Sequence, residues 1–162
     1  MKIMVFTEGT IIMHHGGTGR SAEERSTQVK EKEKSIYDWT SYVPIGGAAD
    51  KLNIWKKQGA EIVYLTSRKK LDEVELIKGV LKKYDFPEGH LMFCYPGQTY
   101  GDVTESVMPD ILIEDDCVSI GGTDEMTLSQ VKPEIRAKII SITVREFGGI
   151  DHLPDEIDKL AK

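Results

Sequence analysis

Apolar residues in this chain follow two rhythms that alternate along its length. Residues 1–6 carry Ile3, Met4, Val5 and Phe6 as an unbroken run closed by Glu8 and Gly9. Residues 61–66, 91–95, 110–114 and 138–144 repeat that pattern of a short apolar stretch bounded by turn or charged residues. Such runs predict strands buried on both faces. The second rhythm is helical. Residues 48–58 place Ala48, Leu52, Ile54 and Trp55 at near-helical spacing, with Gly59 as a stop. Residues 71–84 repeat Leu71, Val74, Leu76, Ile77, Val80 and Leu81 mostly every three to four positions, with Pro87 just beyond, and residues 154–160 predict a closing helix.

Residues 13–45 fit neither rhythm. Positions 20–34 are almost wholly polar, which predicts a solvated helix or a mobile loop. Elsewhere strands alternate with helices, so the fold class expected is α/β: a parallel five-stranded sheet with helices on both faces, reached by right-handed crossovers. No repeat or Pro/Gly-rich linker divides the chain, and one domain over residues 1–162 is expected, with residues 13–45 as a short polar insertion.

Composition narrows the function classes. A net charge of −6 and a pI near 5.3 repel a phosphate backbone and argue against nucleic-acid or anionic-membrane binding as the main role. Two cysteines, Cys94 and Cys117, are too few for a disulfide framework, so both are expected as thiols and a cytoplasmic setting is expected. No apolar run approaches the roughly 20 residues of a membrane span.

In a parallel α/β sheet, ligands bind beyond the carboxyl ends of the strands, so the residues that follow each strand carry the candidate chemistry. Glu8, Gly9 and Thr10 follow the first strand, where a carboxylate could serve as an acid or base. Thr66, Ser67 and Arg68 follow the second, with hydroxyls, amides and a guanidinium suited to phosphate oxygens or to capping the next helix. Asp115 and Asp116, with Glu114 before them, bring up to three carboxylates to the fourth strand end, a donor set for a hard cation or a solvated acidic turn. The adjacent His14 and His15 face opposite ways in an extended segment. Met92 and Trp55 are most simply core.

Taken in order, Val5-Phe6-Thr7-Glu8-Gly9-Thr10, then Leu65-Thr66-Ser67-Arg68, then Ile113-Glu114-Asp115-Asp116 resemble the haloacid dehalogenase (HAD) superfamily of phosphohydrolases. The resemblance implies a HAD-like Rossmannoid fold with a minimal or absent cap at residues 13–45. It also implies Mg²⁺ held by Asp115 and Asp116, Glu8 as the catalytic acid or base, and ligand contacts from Thr7, Gly9, Thr10, Thr66, Ser67 and Arg68. Two stations of the family depart here. Aligned on Gly9 and Thr10, Phe6 occupies the place of the nucleophilic aspartate; with one residue deleted, Thr7 does. No Lys or Arg stands between Tyr84 and Asp116 to supply the family's lysine, although Arg68, Lys69 or Lys70 could reach across.

The expectation that follows is a HAD-like protein that keeps a phosphate or Mg²⁺ pocket for binding or regulation. The alternative is a Mg²⁺-dependent phosphatase that uses Glu8, Thr7 or a metal-activated water in place of the aspartate. A purely structural or oligomerising domain is the third reading. An open site suits a phosphorylated small molecule or a phosphoprotein as partner, and is compatible with association of identical chains.

Overall fold

The apolar run at the start of the sequence forms the central strand, β1 (Lys2–Phe6), of a five-stranded sheet in the computed structural model, which describes residues 1–162. The sheet also contains β4 (Glu61–Leu65), β5 (His90–Met92), β6 (Ile111–Asp115) and β7 (Ile140–Val144), in the order β5-β4-β1-β6-β7. Every neighbouring pair is parallel. The remaining strands are β2 (Ile12–Met13) and β3 (Val43–Pro44), which pair antiparallel outside the main sheet.

Alternation along the strands sends residues to two faces. Ile3, Val5, Ile62, Tyr64, Ile111 and Ile113 share one core cluster, and Met4, Val63, Leu65 and Leu112 share another. The first face is covered by α2 (Ala48–Lys57) through Ala48, Leu52 and Trp55, and by α3 (Leu71–Lys83) through Ile77, Val80 and Leu81. Trp55 is fully buried, with its indole N–H donating to Pro154 O at 2.9 Å, so a large apolar body and its single polar atom are both satisfied. On the second face lie Val103 of α4 (Tyr100–Val107), Leu128, and Ile135 of α5 (Pro133–Arg136). A short α6 (Ile157–Leu160) returns Leu160 to the first face.

The polar segment is ordered rather than loose. β2 and β3 close its base, and α1 (Ala22–Lys30) starts at a capping box in which Ser21 and Glu24 satisfy each other's backbone N–H groups. No residue of α1 is buried, as its charge pattern requires. It is held by half-buried Ala22 and Val29 against Met13, Ile45 and Phe147, and by polar contacts with the strand ends. Arg25 donates to Gly17 O at 2.9 Å and Phe147 O at 2.8 Å, Ser26 donates to the buried Glu146 at 2.7 Å, and Arg145 pairs with Glu23 at 2.9 Å. Two 3-10 turns, Lys34–Tyr37 and Trp39–Ser41, then lead Trp39 and Tyr42 back over the sheet.

Several expectations need correction. The strand expected over residues 91–95 runs instead over His90–Met92, and it is a half-buried edge rather than a buried run. β7 begins two residues later than expected and is mostly exposed, since no helix covers the outer edge of the sheet. The helix at residues 100–107 has no counterpart in the apolar pattern, because its buried positions are Gly101, Val103 and Thr104. The closing helix is a single turn at 157–160 rather than 154–160. Both cysteines are free thiols, and no helix is long and apolar enough to cross a membrane.

Candidate functional site at the strand ends

The carboxyl ends of β1, β4 and β6 open into a cavity of about 550 Å³, walled on one side by Trp39 and Tyr42 of the polar segment. Glu8 lies on its floor. The chain turns there because Gly9, at φ +85°, adopts a conformation that favours glycine, and because a Cβ at Gly9 would come within 2.9 Å of Asp115 Oδ2. The turn leaves the Glu8 carboxylate clamped. Oε1 accepts from Thr66 Oγ1 at 2.5 Å, and Oε2 accepts from Thr7 Oγ1 at 2.5 Å and from Ser67 N at 3.2 Å. Thr7 and Thr66 are fully buried in this arrangement and face Glu8 rather than the cavity.

Thr10 is fully buried as well, and its hydroxyl donates to Asp115 Oδ2 at 2.9 Å while accepting from Asp115 N at 3.1 Å. Asp115 Oδ1 accepts from Cys117 N at 2.9 Å. Burial pushes the Asp115 carboxyl up to about 6, against these hydrogen bonds, with Glu146 and Asp116 adding to the rise. Asp116 points elsewhere. It lines a second, smaller cavity of about 330 Å³ with Glu23, Lys30 and Arg145, and its Oδ1 accepts from Glu146 N at 3.1 Å. Asp116 is the first residue beyond β6, and its backbone N–H donates to Val144 O of β7 at 3.0 Å.

The carboxylate that does share a face with Phe6 is Glu114. The β1–β6 register pairs Val5 with Ile113, which carries Phe6 and Glu114 on as neighbours on the α4 side. The Phe6 ring meets the Tyr100 ring edge-on at 5.4 Å, and the Glu114 carboxylate accepts from Thr127 N at 2.6 Å and Leu128 N at 3.0 Å. Burial raises the Glu114 carboxyl above its ordinary range, and the two amides oppose that rise. It also pushes the Tyr100 phenol up to about 12. Across the cavity, the Arg68 guanidinium stacks 4.0 Å above the centre of the Trp39 ring, with Ser67 Oγ 3.2 Å away and Glu73 at 3.8 Å. Lys69 lines the same wall, whereas Lys70 does not.

No family model matches the sequence, and no curated protein matches it. Its fold does have solved counterparts. The class C acid phosphatase from Bacillus anthracis superposes with a TM-score of 0.57 at 16% identity, over 91% of this chain and 67% of that one. A HAD family hydrolase from Deinococcus radiodurans R1, solved with bound phosphate and sodium, superposes with a TM-score of 0.51 at 12% identity, over 88% of this chain and 79% of that one. A family IA HAD hydrolase from Entamoeba histolytica covers 99% of this chain and 97% of its own, with a TM-score of 0.50 at 12% identity. This chain has the HAD fold.

Aligned on Gly9 and Thr10, the first motif's resemblance puts the Phe6 ring, packed on Tyr100, where that family has its nucleophile; with one residue deleted the place falls to Thr7, whose buried hydroxyl donates to Glu8. A Mg²⁺ ion of the kind that resemblance implies is held by one or two carboxylates together with water and phosphate oxygens. Asp115 and Glu8 line the cavity with their carboxylate oxygens partly engaged by the protein, and Asp116 lines the other cavity. No three His, Cys, Asp or Glu residues are grouped to hold a metal. The cavity therefore keeps one of the two aspartates that the resemblance assigns to Mg²⁺, Asp115, with Glu8 beside it. The cavity brings together Glu8, Gly9, Ser67, Arg68 and Asp115 of the sequence-derived site, and it leaves out Asp116 and buries Thr7, Thr10 and Thr66 behind the wall. Sequence reasoning missed Trp39, Tyr42, Tyr100 and Thr127, which reach the cavity from segments with no motif of their own.

Proposed function

We propose that this HAD-fold protein binds a phosphorylated ligand at the strand ends and does not hydrolyse it. The observation that carries this reading is Phe6, whose ring packs against Tyr100 at the end of the central strand. A phenyl ring cannot form the covalent phosphoryl intermediate that a carboxylate nucleophile forms. Anion binding is supported by Ser67, Arg68 and Lys69, which bring a hydroxyl, a planar guanidinium and an ammonium to one wall. Trp39 holds the guanidinium in place, so less freedom is lost when it meets a phosphate.

Calorimetric titration with inorganic phosphate should give binding that Arg68→Ala weakens by about tenfold. Incubation with phosphate esters should release no phosphate. Mg²⁺-dependent release that Asp115→Ala or Asp116→Ala abolishes would overturn the reading in favour of a phosphatase with an unusual nucleophile.

A further inference from the structure

The second cavity, of about 330 Å³, lies at the seam where α1 meets the ends of β6 and β7, and its size is near the lower end of that of small-molecule sites. Most of its charge is answered within the fold. Arg145 pairs with Glu23 at 2.9 Å, and the buried Glu146 carboxylate accepts from Ser26 Oγ, Ser119 N and Ser119 Oγ. Two charges are left over. The Lys30 ammonium has no ion-pair partner, and the half-buried Asp116 carboxylate has no cationic one, accepting only the Glu146 N–H on Oδ1. An unpaired lysine is ordinary on a convex surface. Here it shares a concave wall with an unpaired carboxylate of opposite sign, and the two come from different elements. Val118 adds an apolar side chain to the same wall and is 54% exposed.

A simple anion would find Lys30 but meet Asp116, and a simple cation would find Asp116 but meet Lys30. A small zwitterion answers both charges at once. A free α-amino acid carries its ammonium and carboxylate on one carbon, both ionised at neutral pH, and an apolar side chain on it would cover Val118. We propose that the second cavity binds a free α-amino acid with an apolar side chain, its ammonium on Asp116 and its carboxylate on Lys30. Lys30 is the last residue of α1 and Asp116 the first beyond β6, so the ligand ties the polar segment to the sheet. Glu146 lines both cavities, which sets this ligand against the wall of the strand-end site. The proposal does not depend on what the strand-end site binds.

The test is calorimetric titration of the whole chain with L-leucine and with isocaproate, isoamylamine and glycine, which lack its ammonium, its carboxylate and its side chain in turn. Leucine should bind, and each of the other three should bind about tenfold more weakly. Asp116→Asn keeps an acceptor for the Glu146 N–H but loses the charge, and should weaken leucine about tenfold. Lys30→Gln should weaken it about threefold, because Lys30 is exposed. Leucine should also slow limited proteolysis within residues 14–42 of the wild type. Lys30 ends a helix at the surface, so its variant keeps the test open should Asp116→Asn fail to fold. Absence of leucine binding, an affinity that Lys30→Gln leaves unchanged, or isocaproate or isoamylamine binding as tightly as leucine would each overturn the proposal. Glycine binding as tightly would overturn the apolar contact with Val118, and leucine that binds without slowing proteolysis would overturn its place at the seam.

Discussion

Burial leaves Asp115 4% exposed and lifts its carboxyl from 3.8 to about 6, so between those values the native protein holds a proton that the unfolded chain has released. Its contribution to stability is therefore complete below about pH 4, declines as pH rises, and is lost by a little above pH 6, a swing of about 3 kcal/mol. Thermal unfolding followed from pH 4 to 7 should show this decline, and Asp115→Asn should flatten it; an unchanged slope in the variant would place the effect elsewhere. The same residue marks how far the site was legible in the sequence. Glu114, Asp115 and Asp116 read as one acidic cluster, yet Asp116, one residue past the strand, lines a different cavity, and Glu114 sits beside Phe6. Adjacency along a chain says nothing about which side of a sheet each residue faces until the buried face is known.

Among the elements, the helices with a strong apolar stripe were legible, as α2 and α3 were from their regular spacing, and so was the central strand. α4 was not, since it presents a glycine, a valine and a threonine to the core, and only its capping box of Thr99 and Asp102 betrays it. The polar segment hid its role for a different reason. Its order comes from contacts to residues more than a hundred positions away, which no local pattern records: Arg25 with Phe147, and Ser26 with Glu146. Arg25→Ala should free α1 from the strand ends and raise the rate of limited proteolysis within residues 14–42 several-fold, with little change in global melting temperature. Peptide mapping of the cleavage sites checks this, and unaltered cleavage would mean that the other contacts suffice.

Across the whole molecule, protection should follow position in the sheet. β1, β4 and β6 are enclosed by neighbours on both sides, whereas β7 lies at an edge with three of its five residues exposed. Amide hydrogen exchange should be slowest in those three inner strands, faster in β7, and fastest in α1, which has no fully buried residue. Equal protection in β7 and β1 would imply that something covers the outer edge, such as a second copy of the chain.

The central place of β1 also bears on how the protein is made. Its partner β4 is displaced by about 60 positions in register and β6 by about 110, and synthesis proceeds at roughly 5–20 residues per second. The apolar run of Ile3, Met4, Val5 and Phe6 therefore leaves the ribosome several seconds before it has anything to pair with. During that interval the segment destined for the middle of the sheet is the one most open to wrong company. Substitutions that make it more adhesive should lower the yield of folded protein even where they leave the finished fold as stable as before.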